Sequence, residues 1–332
     1  MSKFCDHQVD CPDNSDEGHQ CKQAPSCQKM KCSNSCSITW KGPKCFCPNG
    51  LIPAPDDPTG CVDLNECEVS KSIKKALKML EIAKNWLPRY TGMQLDQFGE
   101  YILITNFKDY VTKFSERFSS QIHGEGKAMQ ASTNSDGLTI INYGIGSPNA
   151  ATIMDLLVAV DPKGVLFLGK CGGLKDSSEI GNFILPIGAI RGDGTSNDYF
   201  PPEVPALPSF KLHKFVSDII VEKNSDYRTG VIYTTNRRVW EHDKRFLKRL
   251  KKTTAIGVDM ETATVFSVGH YNEIARGALL LVSDVPLTPE GVKTETSDKE
   301  VTQKWVDLHL EIGIKAMTDI GQSGEEIKHF KY

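Results

Sequence analysis

The chain has 332 residues and a formal net charge of −3 at pH 7. This length allows two domains with a sizeable core, and the weak negative charge gives no indication of a nucleic-acid-binding surface. The apolar runs fall short of the roughly 18 residues that a membrane-spanning helix requires, and residues 1–10 lack the apolar core of a signal peptide. The sequence therefore predicts neither nucleic acid nor membrane as a partner.

The cysteines divide the chain into two parts. Ten of the 11 lie between Cys5 and Cys67, and Cys171 is the remaining one. Cysteine at such density is typical of a disulfide framework formed in an oxidising compartment, whereas a long segment with one cysteine is typical of a cytoplasmic protein. We therefore predict a small disulfide-rich segment (residues 1–67) and a cytoplasmic body (residues 71–332).

The first part of this segment, residues 1–21, is rich in acidic residues and has no apolar core. Oxygen ligands around Ca²⁺ could organise such a unit, and a solvated acidic surface without a ligand is the alternative. The stretch CDHQVDCPDNSDEGHQC (residues 5–21) resembles the second half of a low-density-lipoprotein-receptor class A module. That resemblance implies a Cys5–Cys21 disulfide and four Ca²⁺ ligands, which are Asp6, Asp10, Asp16 and Glu17.

Residues 22–67 contain the cysteine spacing of an EGF-like module. The six cysteines are Cys27, Cys32, Cys36, Cys45, Cys47 and Cys61. The resemblance implies the pairs Cys27–Cys36, Cys32–Cys45 and Cys47–Cys61. The run VDLNEC (residues 62–67) resembles the start of a second, calcium-binding module of this type, and Cys11 and Cys67 have no partner in either pattern.

The body alternates apolar runs with helical patterns. Strands are predicted over residues 101–107, 138–146, 164–170, 182–190, 229–236, 255–259 and 277–284. Helices are predicted over residues 147–160, 208–224, 241–251, 260–272 and 298–319, after a first amphipathic run near residues 72–87. The strands are continuously apolar rather than alternating, which indicates a sheet covered by helices on both faces. The predicted fold class is therefore an α/β sandwich.

Ligands of such sheets bind beyond the carboxyl ends of the strands, and two of these ends are rich in glycine. Gly146 and Ser147 open a predicted helix, where backbone N–H groups could hold an anion; an ordinary capped turn is the alternative. Gly172 and Gly173 would admit a flat ligand against the backbone. Cys171 beside them is interpreted as a small buried side chain rather than a nucleophile.

Two further strand ends carry carboxylates. Glu261 is predicted in the first turn of a helix, whose dipole would keep it ionised and able to accept hydrogen bonds from two ribose hydroxyls. Asp284 ends a strongly apolar strand, and desolvation there would raise its pKa and make it a proton donor. Alternatively, Glu261 is an acid at the start of a helix that binds no ligand, and Asp284 caps a turn.

These strand ends, taken in chain order, resemble the nucleoside phosphorylase/nucleosidase superfamily. More narrowly, several runs are similar to the short bacterial AMP nucleosidases, among them NWLPRYTG (85–92), GSPNAATIMDLL (146–157), LGKCGGLK (168–175), YTTNRRVWEHD (233–243) and LLLVSDVPLTPEGVKTE (279–295). The resemblance covers the whole body. It implies a three-layer sandwich with a central mixed sheet, a homo-oligomer such as a hexamer, and catalysis without a cofactor.

The resemblance also implies an activity, which is hydrolysis of the N-glycosidic bond of AMP to adenine and ribose 5-phosphate. Asp284 would protonate purine N7, Glu261 would hold the ribose hydroxyls, and Met260 would pack on the sugar. The base pocket would be lined by Gly172, Gly173 and Ser283. A purine nucleoside phosphorylase or another nucleosidase is the alternative activity, and an extracellular Ca²⁺-binding receptor fragment is the alternative interpretation suggested by residues 1–67.

The 5′-phosphate and the base call for further contacts. Guanidinium groups bind phosphate bidentately, and the candidates are Arg89, Arg237 and Arg238. Adjacent residues at a strand end tend to point apart, so one of Arg237 and Arg238 is expected to reach the site. The proline-rich loop 195–205 would cover the base with Tyr199 or Phe200; a contact between subunits is its alternative role.

Phe167 bears on the identity of the nucleophile. Phosphorylases of the superfamily often carry an arginine at this position, two residues before the first glycine of the strand end, and it holds the attacking phosphate. A phenyl ring cannot bind phosphate, so the resemblance favours water. The residues considered as the base that activates this water are Glu125, Asp193 and Asp198.

Overall fold

The structure is a computed structural model of the chain. It describes residues 32, 35–39, 42–46, 51–54, 57–63, 66–288, 291 and 294–323. The chain divides into two compact units, residues 1–78 and 79–332, and each of them is described by itself.

The first unit contains two antiparallel pairs of strands. Strand β1 (Ser35–Thr39) pairs with β2 (Gly42–Phe46), and β3 (Leu51–Ala54) pairs with β4 (Asp57–Asp63). A disulfide joins Cys32 to Cys45 with a Cα–Cα distance of 5.5 Å, and this is one of the pairs that the EGF-like resemblance implies. Cys36 is also disulfide-bonded.

The other predictions for the cysteine-rich segment lie outside the described residues. Each of the three remaining predicted disulfides includes at least one such cysteine, and all four predicted Ca²⁺ ligands fall there as well. Within the described part of the chain, His, Cys, Asp and Glu side chains form no group of three or more that could hold a metal ion. The two receptor-type modules therefore stay predictions.

Helix α1 (Glu66–Thr91) runs through the division between the units, which falls after Lys78. In the second unit the helix buries Ala83 and Leu87. The chain leaves the helix at Gly92, whose φ of +72° is a conformation that favours glycine.

An eight-stranded mixed sheet forms the centre of the second unit. Its strands are β5 (Tyr101–Thr105), β6 (Gln130–Thr133), β7 (Leu138–Asn142), β8 (Gly164–Gly173), β9 (Phe183–Gly192), β10 (Tyr227–Thr235), β11 (Gly257–Asp259) and β12 (Arg276–Asp284). The spatial order is β11-β10-β9-β12-β8-β5-β7-β6. Pairs β6/β7, β9/β12 and β8/β11 are antiparallel, and the other neighbours are parallel. The mixed sheet that the sequence predicts is thus confirmed.

Strand β11 closes one part of this sheet into a ring. Besides β10 it pairs with the last residues of β8, where Gly257 lies opposite Gly173 and Val258 lies opposite Gly172. Strands β8, β12, β9, β10 and β11 are therefore connected in a circle. The close approach depends on glycine, because a Cβ atom at Gly257 would come within 3.3 Å of the Gly172 carbonyl oxygen.

Helices cover both faces of the sheet. Helices α3 (Ser147–Leu156) and α6 (Thr262–Tyr271) pack on one face, and α2 (Lys108–Phe118), α4 (Phe210–Glu222) and α7 (Glu295–Gln322) pack on the other. Successive residues of β12 serve both cores: Leu280 faces α3 and α6, and Leu279 faces the other three helices. A short helix α5 (Lys244–Lys252) buries Leu250 in a third, smaller cluster. This arrangement confirms the predicted three-layer α/β sandwich.

The helices of the described parts also bear on the membrane prediction. None of them combines the length and the apolar character that crossing a bilayer would require.

Candidate active site

A cleft of about 250 Å³ lies beyond the ends of β5, β8, β10, β11 and β12. Its position is the one that an open α/β sheet predicts for a ligand. It is lined by Asn106, Phe107, Ile145, Lys170, Cys171, Gly172, Thr235, Arg238, Trp240, Glu241, Val258, Asp259, Met260, Glu261, Ser283, Asp284 and Asp298. Five strand ends that are distant in the sequence thus contribute residues to one cleft.

Glu261 is held in one position by two hydrogen-bond donors. It is 2% exposed and occupies the N-cap position of α6. Its Oε1 atom accepts a bond of 2.7 Å from the Gly146 N–H, and its Oε2 atom accepts one of 3.2 Å from the Met260 N–H. Ser147 secures the same turn by donating to the Met260 carbonyl over 2.6 Å. The glycine-rich turn therefore serves Glu261.

Asp259 is a second buried carboxylate, two residues before Glu261. It accepts hydrogen bonds from the Thr234 hydroxyl at 2.7 Å and from the Thr262 N–H at 2.8 Å, so it joins the end of β10 to the start of α6. Burial raises its pKa. Asp259 is thus an anchor of the joint between β11 and α6.

Burial and the charge of Asp259 raise the pKa of Glu261 to about 7, although hydrogen bonds from the backbone N–H groups of Gly146 and Met260 act in the opposite direction. The sequence predicts a carboxylate that the helix start keeps fully ionised, and that prediction is wrong in direction. Desolvation of a carboxylate outweighs the dipole of a single helix end when the group is buried this completely.

Asp284 lies at the end of β12, opposite Gly172 in the pairing of β12 with β8. The Ser283 hydroxyl donates to the Oδ1 atom of Asp284 over 2.8 Å and also lies 3.4 Å from the Cys171 carbonyl oxygen. A Cβ atom at Gly172 would come within 2.9 Å of the Pro286 Cγ atom and 3.3 Å of the Asp284 Oδ2 atom. Gly172 therefore lets Pro286 and the Asp284 carboxyl group lie close to the end of β8.

The second predicted glycine, Gly173, is not among the lining residues. It pairs with Gly257 of β11, and a Cβ atom at this position would come within 2.6 Å of the Ser178 Cβ. A side chain at Gly173 would therefore clash with the loop that follows β8. Cys171 is buried, with 2% of its surface exposed.

Of the three predicted arginines, Arg238 is the one that lines the cleft. Its side chain is 61% exposed and lies 3.6 Å from Glu241. Arg237 turns away, since it donates to Asp243 over 2.8 Å and lies over the Phe246 ring. Arg89 is exposed on α1 and is not part of the lining.

The aromatic residues predicted to cover the base lie elsewhere in the structure. The Tyr199 hydroxyl donates to Asp155 over 2.6 Å, and Phe200 packs on His270 with ring centroids 5.1 Å apart. Both rings also contact Tyr271 at the last turn of α6, whereas Glu261 caps its first turn. Ten helical residues span about 15 Å, so these rings do not line the cleft within one chain.

None of the three acids considered as a water-activating base lines the cleft. Asp193 is buried and accepts hydrogen bonds from the Ser196 N–H, the Ser196 hydroxyl and the Thr264 hydroxyl at 2.7–2.8 Å. It therefore anchors the loop after β9 to α6. Glu125 and Asp198 are exposed.

Lys170 is a residue of the cleft that the sequence analysis did not single out. Its side chain is 3% exposed, and the Nζ atom lies 2.9 Å from Asp298 and 2.8 Å from the Thr302 hydroxyl. The ammonium group also lies 4.5 Å from the centre of the Phe107 ring. In the sequence, Lys170 ends a continuous apolar run. That position indicates a buried lysine with a polar partner, because lysine is rarely buried alone.

Trp240 and Asn106 were missed as well. Trp240 is 4% exposed, lines the cleft and packs against Phe246 with ring centroids 5.4 Å apart. In the sequence, Trp240 lies two residues after Arg238, within the run YTTNRRVWEHD (233–243). Asn106 directly follows β5 and lines the cleft. Nothing in the local sequence indicates that either residue lines the cleft, since this depends on the arrangement of distant strands.

Comparison with known proteins places this geometry in a family. The model of the phosphorylase superfamily matches residues 100–318. That range includes more than half of the chain and all the lining residues of the cleft, so the chain belongs to the phosphorylase superfamily. Within it, the proteins similar to this chain include both nucleosidases and phosphorylases.

Three relatives illustrate this similarity. A crystal structure of AMP nucleosidase from Bacteroides thetaiotaomicron is 49% identical, with a TM-score of 0.66, and the match covers 74% of this chain and 98% of that one. AMP nucleosidase of Escherichia coli K12 is 29% identical over 287 residues, 73% of this chain and 59% of that protein. Guanosine phosphorylase of Halorubrum lacusprofundi is 29% identical over 58% of this chain and 81% of its own. The chain thus spans less than two thirds of the Escherichia coli enzyme.

The raised pKa of Glu261 predicts how stability depends on pH. The folded chain holds a proton at Glu261 below about pH 7, and the unfolded chain does so only below about pH 4.5, so this group destabilises the fold as pH rises through that window. Glu261→Gln removes the dependence. As the pH is lowered from 7.5 to 4.5, the free energy of unfolding of the wild type, measured in urea, should rise by about 3 kcal/mol relative to that of the variant. A constant difference would show that Glu261 stays ionised.

Proposed function

We propose that the chain hydrolyses the N-glycosidic bond of AMP to adenine and ribose 5-phosphate. The observation that carries the proposal is the presence, in one cleft, of a Glu261 carboxylate fixed by two backbone N–H groups and of Asp284 oriented by Ser283. Cleavage of an N-ribosidic bond passes through an oxocarbenium-like transition state. It therefore needs a proton for the departing purine and an electron-rich environment for the ribose.

The two carboxyl groups supply these needs from opposite sides. Asp284 gives its proton to purine N7 as the bond between N9 and C1′ breaks, and the electron pair of that bond goes to the base. Glu261 accepts hydrogen bonds from the ribose hydroxyls and stabilises the positive charge that develops on the sugar. Met260 packs on the sugar, and Gly172 leaves space for the base.

Trp240 and Arg238 extend the site to the two ends of AMP. Trp240 presents a large buried aromatic surface to the cleft, and such a surface suits a purine ring. Arg238 lies at the mouth, exposed and within 3.6 Å of Glu241, where its guanidinium can exchange that partner for a 5′-phosphate. Arg237 is committed to Asp243 and contributes no phosphate contact.

The charge of the cleft favours water as the nucleophile. Among the described lining residues, five are acidic and two, Lys170 and Arg238, are cationic. Lys170 is paired with Asp298, and Arg238 is assigned to the substrate. Phe167 is fully buried and packs against Tyr143 in the core. A second phosphate group would thus lack a cation of its own, whereas a neutral water needs none.

Two other functions are considered. The similarity to guanosine phosphorylase supports a purine nucleoside phosphorylase or another nucleosidase as the first alternative. The second alternative, a Ca²⁺-binding receptor fragment, rests on the cysteine-rich segment alone.

The homo-oligomer stays a prediction. The strongly exposed Ile187, Leu207 and Phe210 of the second unit are consistent with self-association.

The activity is tested by supplying AMP or adenosine, with and without inorganic phosphate, and identifying the sugar product. We expect ribose 5-phosphate and adenine from AMP in the absence of phosphate, because water is the nucleophile. Ribose 1-phosphate formed from adenosine only when phosphate is present would replace the proposal by a phosphorylase.

Asp284→Asn should lower kcat for AMP by about 10³-fold, because general acid catalysis contributes roughly 10²–10⁴ and an amide cannot supply the proton. Asp136→Asn, the same change in an exposed turn, is the matched control and should leave kcat unchanged. Turnover of Asp284→Asn within a few-fold of the wild type would remove Asp284 from its assigned role.

The adjacent arginines form a second matched pair. Arg238→Ala should raise KM for AMP by about 10- to 100-fold, the loss expected for one or two charge-assisted hydrogen bonds, and should leave the kinetics with adenosine nearly unchanged. Arg237→Ala should affect neither substrate. Equal effects of the two variants on AMP would show that Arg238 does not bind the 5′-phosphate.

A further inference from the structure

Helix α5 carries a cationic surface that the proposed mechanism does not use. Residues 237–252 hold eight lysines and arginines and two acidic residues, although the whole chain has a formal net charge of −3. Two of these cations, Arg237 and Arg238, have acidic partners. The other six are exposed on α5 and form its basic face, which consists of Lys244, Arg245, Lys248, Arg249, Lys251 and Lys252.

The contacts that hold α5 on the body do not involve the side chains of the basic face. The helix packs through Phe246, Leu247 and Leu250. Asp243 caps its first turn by accepting hydrogen bonds of 3.0 Å from the N–H groups of Arg245 and Phe246. Within the part of the chain that the structure describes, none of the six cations forms an ion pair.

Like charges on the basic face repel one another along the helix. Three pairs of its cations are four positions apart, where they lie side by side and destabilise the helix. These pairs are Lys244–Lys248, Arg245–Arg249 and Lys248–Lys252. The helix dipole also opposes cations in the first turn. On α4 the same spacing serves attraction, since Lys214 lies 2.9 Å from Asp218. The stability of α5 therefore does not account for its basic face.

The basic face borders the cleft without being part of its lining. The Phe246 ring of α5 packs against Trp240, which lines the cleft, with ring centroids 5.4 Å apart. Arg238, at the mouth, precedes the helix by six residues. A helix of nine residues spans about 14 Å, so the charges of the basic face lie within about 20 Å of the mouth.

We propose that the basic face of α5 guides the phosphate group of AMP toward Arg238 and thereby favours phosphorylated over uncharged nucleosides. The inference rests on the proposed function, in which AMP is the substrate. Acids outnumber cations among the described residues that line the cleft, so the lining itself does not attract a phosphate dianion. Cations beside the mouth raise the local concentration of an anionic ligand and its association rate, by about 10- to 1,000-fold in strongly steered systems.

The test is charge reversal in Lys244→Glu/Lys248→Glu, measured as kcat/KM for AMP at two ionic strengths. At 10 mM the Debye length is about 30 Å, and reversing two charges about 15 Å from a dianion should lower kcat/KM about tenfold. At 0.3 M the charges are screened, and the loss should be less than about twofold. The kinetics with adenosine should not change at either ionic strength, because adenosine is uncharged.

Lys163→Glu/Lys211→Glu is the matched control, because it makes the same change of charge at the opposite edge of the sheet. Lys163 directly precedes β8. Lys211 follows Ser209, whose N–H donates over 2.7 Å to the Arg276 carbonyl at the start of β12. Both strands reach the cleft at their other end, about 30 Å away. The control should therefore lose no more than about twofold in kcat/KM for AMP at 10 mM.

Two results would overturn the proposal. An equal loss in the two variants at 10 mM, including no loss in either, would show that the basic face has no effect of its own on AMP. A tenfold loss in Lys244→Glu/Lys248→Glu that persists at 0.3 M would show that the lysines contact the bound substrate instead of acting at a distance.

A binding measurement separates this inference from the proposed activity. The association rate of AMP with Asp284→Asn, followed by stopped-flow tryptophan fluorescence, requires no turnover. Adding Lys244→Glu/Lys248→Glu should lower this rate about tenfold at 10 mM. An unchanged rate overturns the role of the basic face even if AMP is hydrolysed by the wild type. If AMP is not hydrolysed but its association rate falls as expected, only the proposed activity is removed, and if AMP does not associate at all, both proposals fail.

Discussion

The burial of two carboxylates, Asp259 and Glu261, at the joint between β11 and α6 is the constraint on which the site depends. Neither can be placed in the interior without donors, and the chain recruits those donors from other strand ends. The hydroxyl of Thr234 comes from β10, and the N–H of Gly146 comes from the turn after β7. These bonds hold together elements that are far apart in the sequence, so the carboxylate pair organises this edge of the sheet.

The closed ring of strands then sets what lies opposite Glu261. Because β11 pairs with the glycine end of β8, and β8 pairs with β12, the ends of β11 and β12 belong to one cleft. Gly172 stands at this point, where a Cβ atom would crowd Pro286 and the Oδ2 atom of Asp284. The proton donor and the hydroxyl acceptor of the proposed mechanism thus follow two strands that both pair with the end of β8.

The layers of the fold and the positions of Glu261 and Asp284 at strand ends could be predicted from the sequence. Features that depend on contacts between distant residues could not. Continuous apolar runs predicted the sheet, but β6, a short strand of polar and small residues at the edge, and helix α2 were missed. Local reasoning from the helix dipole gave the wrong direction for the pKa of Glu261, because burial and Asp259 act through the tertiary structure. Tyr199 and Phe200 were assigned to the base from loop composition, although the loop is anchored at the far end of α6.

The balance of charge in the cleft connects these findings. The proposed substrate carries a phosphate, yet most of the described charged residues of the cleft are acids. The acids are not equivalent. Asp298 is paired with Lys170, Glu241 lies 3.6 Å from Arg238, and Asp259 is bonded within the joint that precedes α6. Burial and the neighbouring Asp259 raise the pKa of Glu261 to about 7, so the negative charge of the cleft near neutral pH is smaller than its composition suggests. In the proposed function, burial of the carboxylates rather than additional cations therefore makes the cleft compatible with an anionic substrate, and the exposed Arg238 compensates for the 5′-phosphate at the mouth.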